Sequence, residues 1–218
     1  MPLTIDTLVL GPLDTNCYVV RDDGGDCWVF DPGMGEQALL RFLQQAAASP
    51  SRIMLTHGHG DHIAGAGALK QAFPDARLCC GEGDLRMLSD AGANMSAMFG
   101  VTIVAPPADE IVRPGQVLRL GQFEWQVLDT SGHTSGSVSY YCSAAGVVVT
   151  GDALFEGTVG RVDIPGGSAG RLLKNIRLNL LSLPDGTQVL PGHGRPTTIG
   201  QERRSNPFLK ESYKLRST

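Results

Sequence analysis

The sequence predicts an α+β fold in which two sheets pack as a sandwich with helices outside. Two observations predict it. Strand patterns fall into an early set and a late set, with helical patterns between and after them. All five histidines follow short apolar runs, at the strand ends where α/β folds place chemistry. With 218 residues and 42% hydrophobic composition, the chain can bury one full core. We read residues 1–218 as a single domain with a short C-terminal tail.

Taken in order, residues 3–10 alternate imperfectly and predict a strand, and 11–15 a turn. Residues 16–20 and 27–30 predict a hairpin across the acidic, glycine-containing stretch 22–26. Asp31-Pro32-Gly33 ends that second strand, and 36–48 predicts a helix with Ala38, Leu39, Phe42 and Leu43 on one face. A strand over 52–55 leads into a loop, and a helix starts near Ile63. Residues 77–80 predict a strand, 82–89 a helix, and 91–100 a loop bordering the site. A hairpin over 117–120 and 123–128 precedes the polar loop 129–136, and strands over 138–142 and 146–150 follow. After the glycine-rich stretch 157–170 come a helix over 171–181, a strand over 188–190 and a charged, partly helical tail over 201–218.

Composition excludes several function classes. The net charge is −4 with no basic stripe, which argues against a nucleic-acid partner. The N-terminus lacks the basic and apolar regions of a signal peptide, and no apolar run is long enough to span a bilayer. The five cysteines are scattered with no CxxC spacing, as expected of reduced thiols in a cytoplasmic protein. Cys79 and Cys80 read as small buried hydrophobes, and Tyr140 and Tyr141 as core.

The chemistry centres on Thr56-His57-Gly58-His59-Gly60-Asp61-His62. Imidazole and carboxylate groups suit zinc, iron or manganese. Alternation in an extended loop turns His57 and His59 the same way, whereas the adjacent Asp61 and His62 diverge, so one loop can feed two neighbouring ions. Gly58 and Gly60 are expected to relax the backbone so that it bends around the metals. His133, Asp152 and His193 each follow a later strand beside glycine, which favours one shared site over five unrelated histidines.

These residues resemble the metallo-β-lactamase-fold superfamily of hydrolases. The opening stretch matches its HxHxDH pattern, and His133, Asp152 and His193 match in order and rough spacing. The resemblance runs from Asp31-Pro32-Gly33 to His193 and implies an αββα sandwich of two mixed sheets with a two-metal site on one edge. It implies two divalent ions, zinc foremost with iron or manganese as alternatives. One would take His57, His59 and His133; the other would take Asp61, His62 and His193; Asp152 would bridge them.

The bridging carboxylate resembles that of glyoxalase II-like thioesterases and is absent from the β-lactamases proper. Gly160-Arg161-Val162-Asp163, and the stretch from Pro191-Gly192-His193 to Asn206-Pro207-Phe208, resemble short single-domain members of that group. The implied activity is hydrolysis of S-acylglutathione thioesters such as S-lactoylglutathione by a metal-bridging hydroxide, which Asp61 would orient. Asp31 is either an acceptor beneath the metal loop or a plain turn residue, and Arg161 either a substrate contact or a surface charge. The larger glyoxalase II enzymes add a helical domain with basic residues for glutathione, whereas about two dozen residues follow His193 here. Arg161 or a partner subunit would then meet the glutathione carboxylates. Two rivals stand beside this reading: a persulfide dioxygenase of the same fold with one iron on two histidines and an aspartate, and a non-catalytic metal-stabilised binding protein.

Overall fold

The computed structural model describes residues 3–210. The predicted tail beyond residue 210 lies outside them. Among the described residues, two six-stranded sheets face each other. The first runs in the order β1 (Thr4–Leu10), β2 (Thr15–Arg21), β3 (Cys27–Phe30), β4 (Arg52–Met54), β5 (Arg77–Gly81) and β6 (Glu110–Val112). Its first three strands pair antiparallel and β3 to β6 pair parallel, so the sheet is mixed. The second sheet contains β7 (Val117–Leu120), β8 (Phe123–Asp129), β9 (Val138–Cys142), β10 (Val147–Gly151), β13 (Gln188–Pro191) and β14 (Thr197–Thr198). It is antiparallel except where β10 runs parallel to β13. A small hairpin, β11 (Leu154–Phe155) and β12 (Thr158–Val159), stands apart.

Strand alternation sorts the core into three layers. Trp28 and Phe30 point between the sheets and meet Trp125 and Tyr140, with the Phe30 and Tyr140 rings 5.3 Å apart, edge to face. The neighbouring Cys27 and Val29 point outward, onto Leu39 and Leu43 of α1 (Glu36–Gln45) and Leu69 of α3 (Ala66–Ala72). On the far side, Tyr141, Val148 and Val189 are covered by Leu172 and Leu173 of α4 (Ala169–Asn175), by Ile176 and by Ile199 of α5 (Ile199–Ser205). The result is an αββα sandwich. All five cysteines are free and buried, and Tyr140 and Tyr141 are buried as expected. Among the described residues, no helix is long and apolar enough to cross a membrane.

Several elements differ from the sequence expectation for local reasons. The helix expected over 36–48 ends at Gln45, because Ala47 turns left-handed (φ 49°) and the Ala48 amide closes back onto the Leu43 carbonyl. The expected helix over 82–89 is a 3₁₀ run, Glu82–Leu88. The one expected over 171–181 starts earlier, at Ala169 behind a Ser168 cap, and finishes as a π turn over Ile176–Leu180.

Candidate metal centre

Every candidate side chain sits at one end of the sandwich, where strands of both sheets run out. β4 stops at Met54, and Thr56 ties down the loop that follows. Its amide donates to Asp31 Oδ1 (2.8 Å) and its hydroxyl to Asp31 Oδ2 (2.7 Å). His62 Nδ1 donates to the same Oδ2 at 3.1 Å. Asp31 is buried and accepts hydrogen bonds from both Thr56 and His62.

His57, His59 and His133 form one compact group, and Asp61, His62 and His193 a second. His57 Nε2 and His133 Nε2 each lie 3.0 Å from His59 Nδ1. In the second group His62 Nε2 and His193 Nε2 are 3.2 Å apart, with Asp61 Oδ2 at 3.4 and 3.3 Å from them. Asp152 reaches both groups. Its Oδ1 is 3.5 Å from His62 Nε2, and its Oδ2 is 3.5 Å from His133 Nε2 and 3.6 Å from His193 Nε2.

The outer ring nitrogens explain these orientations. His133 Nδ1 donates to the Arg161 carbonyl (2.8 Å) and His193 Nδ1 to the Leu13 carbonyl (2.9 Å). The Thr56 hydroxyl proton goes to Asp31, so His57 Nδ1 donates to Thr56 Oγ1 (3.0 Å). With their outer nitrogens protonated, the His57 and His133 rings turn bare Nε2 lone pairs toward His59 Nδ1. Imidazole nitrogens converging at such distances suit a shared cation, so the donor set fits metal ions. Asp152 Oδ1 supports the fit, being buried with no hydrogen-bond partner. Asp31, His57 and His62 form a third compact group, but Asp31 is already engaged by Thr56 and His62, which marks it as a buttress.

The electrostatics agree. Burial and the neighbouring histidines hold His57 well below the ordinary imidazole range. Burial, with His133 adding to it, holds His59 down to about 3. Burial works against a charged His62 too, but Asp61, Asp152 and Asp31 outweigh it and push its pKa up to about 10. Burial raises the pKa of Asp61, but His62 and His193 outweigh it and leave the carboxyl well below the usual range. The second group therefore carries carboxylate charge that calls for positive charge beside it.

Some details depart from the sequence reading. His62 is not in an extended loop. It shares a helical turn, α2 (Gly60–Ile63), with Asp61, and the two side chains converge instead of diverging. Gly58 and Gly60 are not in the left-handed region. They permit close approach: an added Cβ would lie 2.7 Å from Met87 Cβ at Gly58 and 2.9 Å from Ser96 Cβ at Gly60. Arg161 lines the cleft over the cluster, but its guanidinium is exposed and held by both oxygens of Asp163 at 2.9 Å.

The sequence reading missed Asp84. It is fully buried and braces two ligand loops, accepting from the Gly58 amide (3.0 Å), the Thr134 hydroxyl (2.5 Å) and the Gly136 amide (2.7 Å). Its signal was an acid between glycine-flanked positions just after a strand, the same cue that exposed Asp152. Thr15, also missed, donates to Asp61 Oδ2 at 3.0 Å.

With this geometry in hand, comparisons with known proteins are informative. A family model for the Metallo-beta-lactamase superfamily matches residues 10–193. A crystal structure described as BLEG-1 B3 metallo-beta-lactamase superposes with a TM-score of 0.91 at 38% identity, over 94% of this chain and 99% of that one. TTHA1623, crystallised in a di-iron-bound form, gives a TM-score of 0.85 at 36% identity over 94% and 100%. Hydroxyacylglutathione hydrolase GloC of Haemophilus influenzae is 34% identical, covering 95% of this chain and 98% of that protein.

Proposed function

The chain belongs to the metallo-beta-lactamase superfamily, and from that premise we propose that it is a two-metal thioesterase acting on S-acylglutathione-type substrates. The observation that carries the reading is Asp152, a carboxylate within 3.6 Å of both histidine groups with one oxygen unpartnered. His57, His59 and His133 would hold one divalent ion, and Asp61, His62 and His193 the other. Bound there, two such ions lower the pKa of a coordinated water toward neutrality and polarise a carbonyl oxygen.

The chain's own residues supply the rest. Asp61 stays ionised in any working pH range and keeps an acceptor aimed into the cleft, where it would orient the attacking water. Thr15 and the neighbouring histidines fix that carboxylate. Asp31, through Thr56 and His62, holds the loop against displacement. No side chain has to act as a nucleophile, and a thiolate leaves without strong protonation. The GloC relative, named as a hydroxyacylglutathione hydrolase, supports the substrate class.

The BLEG-1 neighbour favours a second reading, β-lactam hydrolysis. One experiment separates the two. Metal-loaded protein is assayed on S-lactoylglutathione, S-acetylglutathione and benzylpenicillin, with metal content measured on the same sample. We expect two ions per chain and a kcat/KM for the better thioester at least 100-fold above that for penicillin. Equal turnover of penicillin would sink the thioesterase reading. One iron per chain, with oxygen uptake on glutathione persulfide, would replace it with the dioxygenase.

A further inference from the structure

The cleft over the cluster has a volume of about 380 Å³, and most of its lining takes no part in the chemistry above. Leu13, Met34, Phe99, Val101, Ile103 and Ile164 line it. Phe99 is 66% exposed, Val101 42% and Leu13 43%, and Met98 beside them is 73% exposed. Of the eight large apolar side chains that the described surface exposes, three line this one cleft, and Met98 adjoins one of them in sequence. Scattered exposed apolar residues need no explanation, but a concentration beside a catalytic cluster marks a binding surface.

The wall is built to hold still. Asn94 donates to the Met87 and Ile103 carbonyls at 2.9 and 2.8 Å, and its own carbonyl receives the Gly60 amide of the metal loop at 2.9 Å. Ser96 Oγ receives the Ile103 amide at 3.1 Å. The polar groups of the wall are thus spent on its own backbone, and its apolar side chains are left for a ligand. Glutathione, by contrast, carries two carboxylates. Among the described residues lining the cleft, the one lysine or arginine is Arg161, already paired with Asp163.

We propose that the substrate carries an apolar group of several carbons beside its scissile thioester, on the acyl or the thiol side, and that this wall reads that group and not the glutathione charges. The inference rests on the thioesterase reading and deepens it.

The test uses metal-loaded protein and two thioester series. In one, acyl groups of two to eight carbons are carried both on glutathione and on the uncharged thiol N-acetylcysteamine. In the other, acetyl is carried on alkyl thiols of two to eight carbons. We expect kcat/KM to rise about fourfold per methylene in at least one series until the cleft is filled, equivalent to about 0.8 kcal/mol each. The series that rises tells which side of the thioester the wall holds. Glutathione should gain less than threefold over N-acetylcysteamine. Phe99→Ala, an exposed substitution that leaves the core alone, should lower kcat/KM for the best long-chain ester at least tenfold more than for the shortest, through KM, and Phe99→Leu should recover most of it. Calorimetry supplies a readout apart from turnover: the inert S-octyl thioether of N-acetylcysteamine should bind at least 30-fold tighter than the S-methyl one. Flat series with equal thioether binding would overturn the inference while leaving the thioesterase reading intact. Octyl-selective binding with no thioester cleaved would overturn that reading and uphold the apolar site.

Discussion

At Gly192 a single methyl group decides whether Asp152 can stand where it does. An added Cβ would lie 2.2 Å from Asp152 Oδ1 and 2.7 Å from His62 Cε1. The backbone there is not left-handed, so alanine is excluded by its neighbours and not by its own conformation. Gly192→Ala should therefore leave the chain folded, cut metal content below two per chain and lower kcat/KM by about 100-fold, the scale of a displacement of about 1 Å. Wild-type metal content after gel filtration would contradict this. Single residues were legible in the sequence when residue type alone restricted the role. The five histidines could be picked out because all of them follow apolar runs, which favours one shared site over five unrelated roles. Asp84 could not, because an acid among glycines reads equally well as a turn. The reason for Gly58 and Gly60 was hidden too, since close approach to Met87 and Ser96 is a tertiary fact.

At the scale of elements, Asp84 joins the 3₁₀ run Glu82–Leu88 to the loops carrying His57 and His133. Burial raises its carboxyl pKa, and its three donors offset part of that cost. Asp84→Ala strands those donors, and at about 1–3 kcal/mol each the loss should be at least about 3 kcal/mol in chemical denaturation. Asp84→Asn keeps the shape but turns an amide NH2, itself a donor, toward at least one of those donors. It should fold, yet bind metal about 10–100-fold more weakly in competition with a chelator. Unchanged metal affinity in the asparagine variant would reduce Asp84 to a purely structural brace. Long, periodic elements such as α1 were readable, and their ends less so, because Ala47 has no sequence signal for a left-handed turn. β6 escaped notice because it is three residues long and starts on Glu110, and its strand character comes from pairing with β5.

For the whole molecule, the two groups of histidines pull stability in opposite directions once metal is removed. His57 and His59 are held below the ordinary value of about 6.5, so the unfolded chain binds their protons first and stability falls as pH drops from there toward 3. His62 is raised to about 10 and His193 is raised as well, so the folded chain keeps protons that the unfolded chain releases. Their contribution is complete below about 6.5 and is lost as pH rises toward 10. Chelator-treated protein should therefore be most stable near pH 6.5, with each fully buried histidine adding a slope of up to about 1.4 kcal/mol per pH unit. Denaturation midpoints that rise steadily to pH 9 would refute this. The sandwich itself was legible because strand patterns fall into an early and a late set, with helical patterns between and after them. The pairing of β10 with β13 was not, because nothing local specifies a parallel partner across the intervening residues. One consequence lies in the crossover from β5 to β6. Parallel neighbours need a connection, and here residues 82–109 supply it and carry the Phe99 wall on the way. Mutations that lengthen or rewrite the tip of that excursion leave both sheets in register and His57 and His133 in their loops. On the proposed reading, descent can thus alter what the protein accepts while inheriting the reaction unchanged.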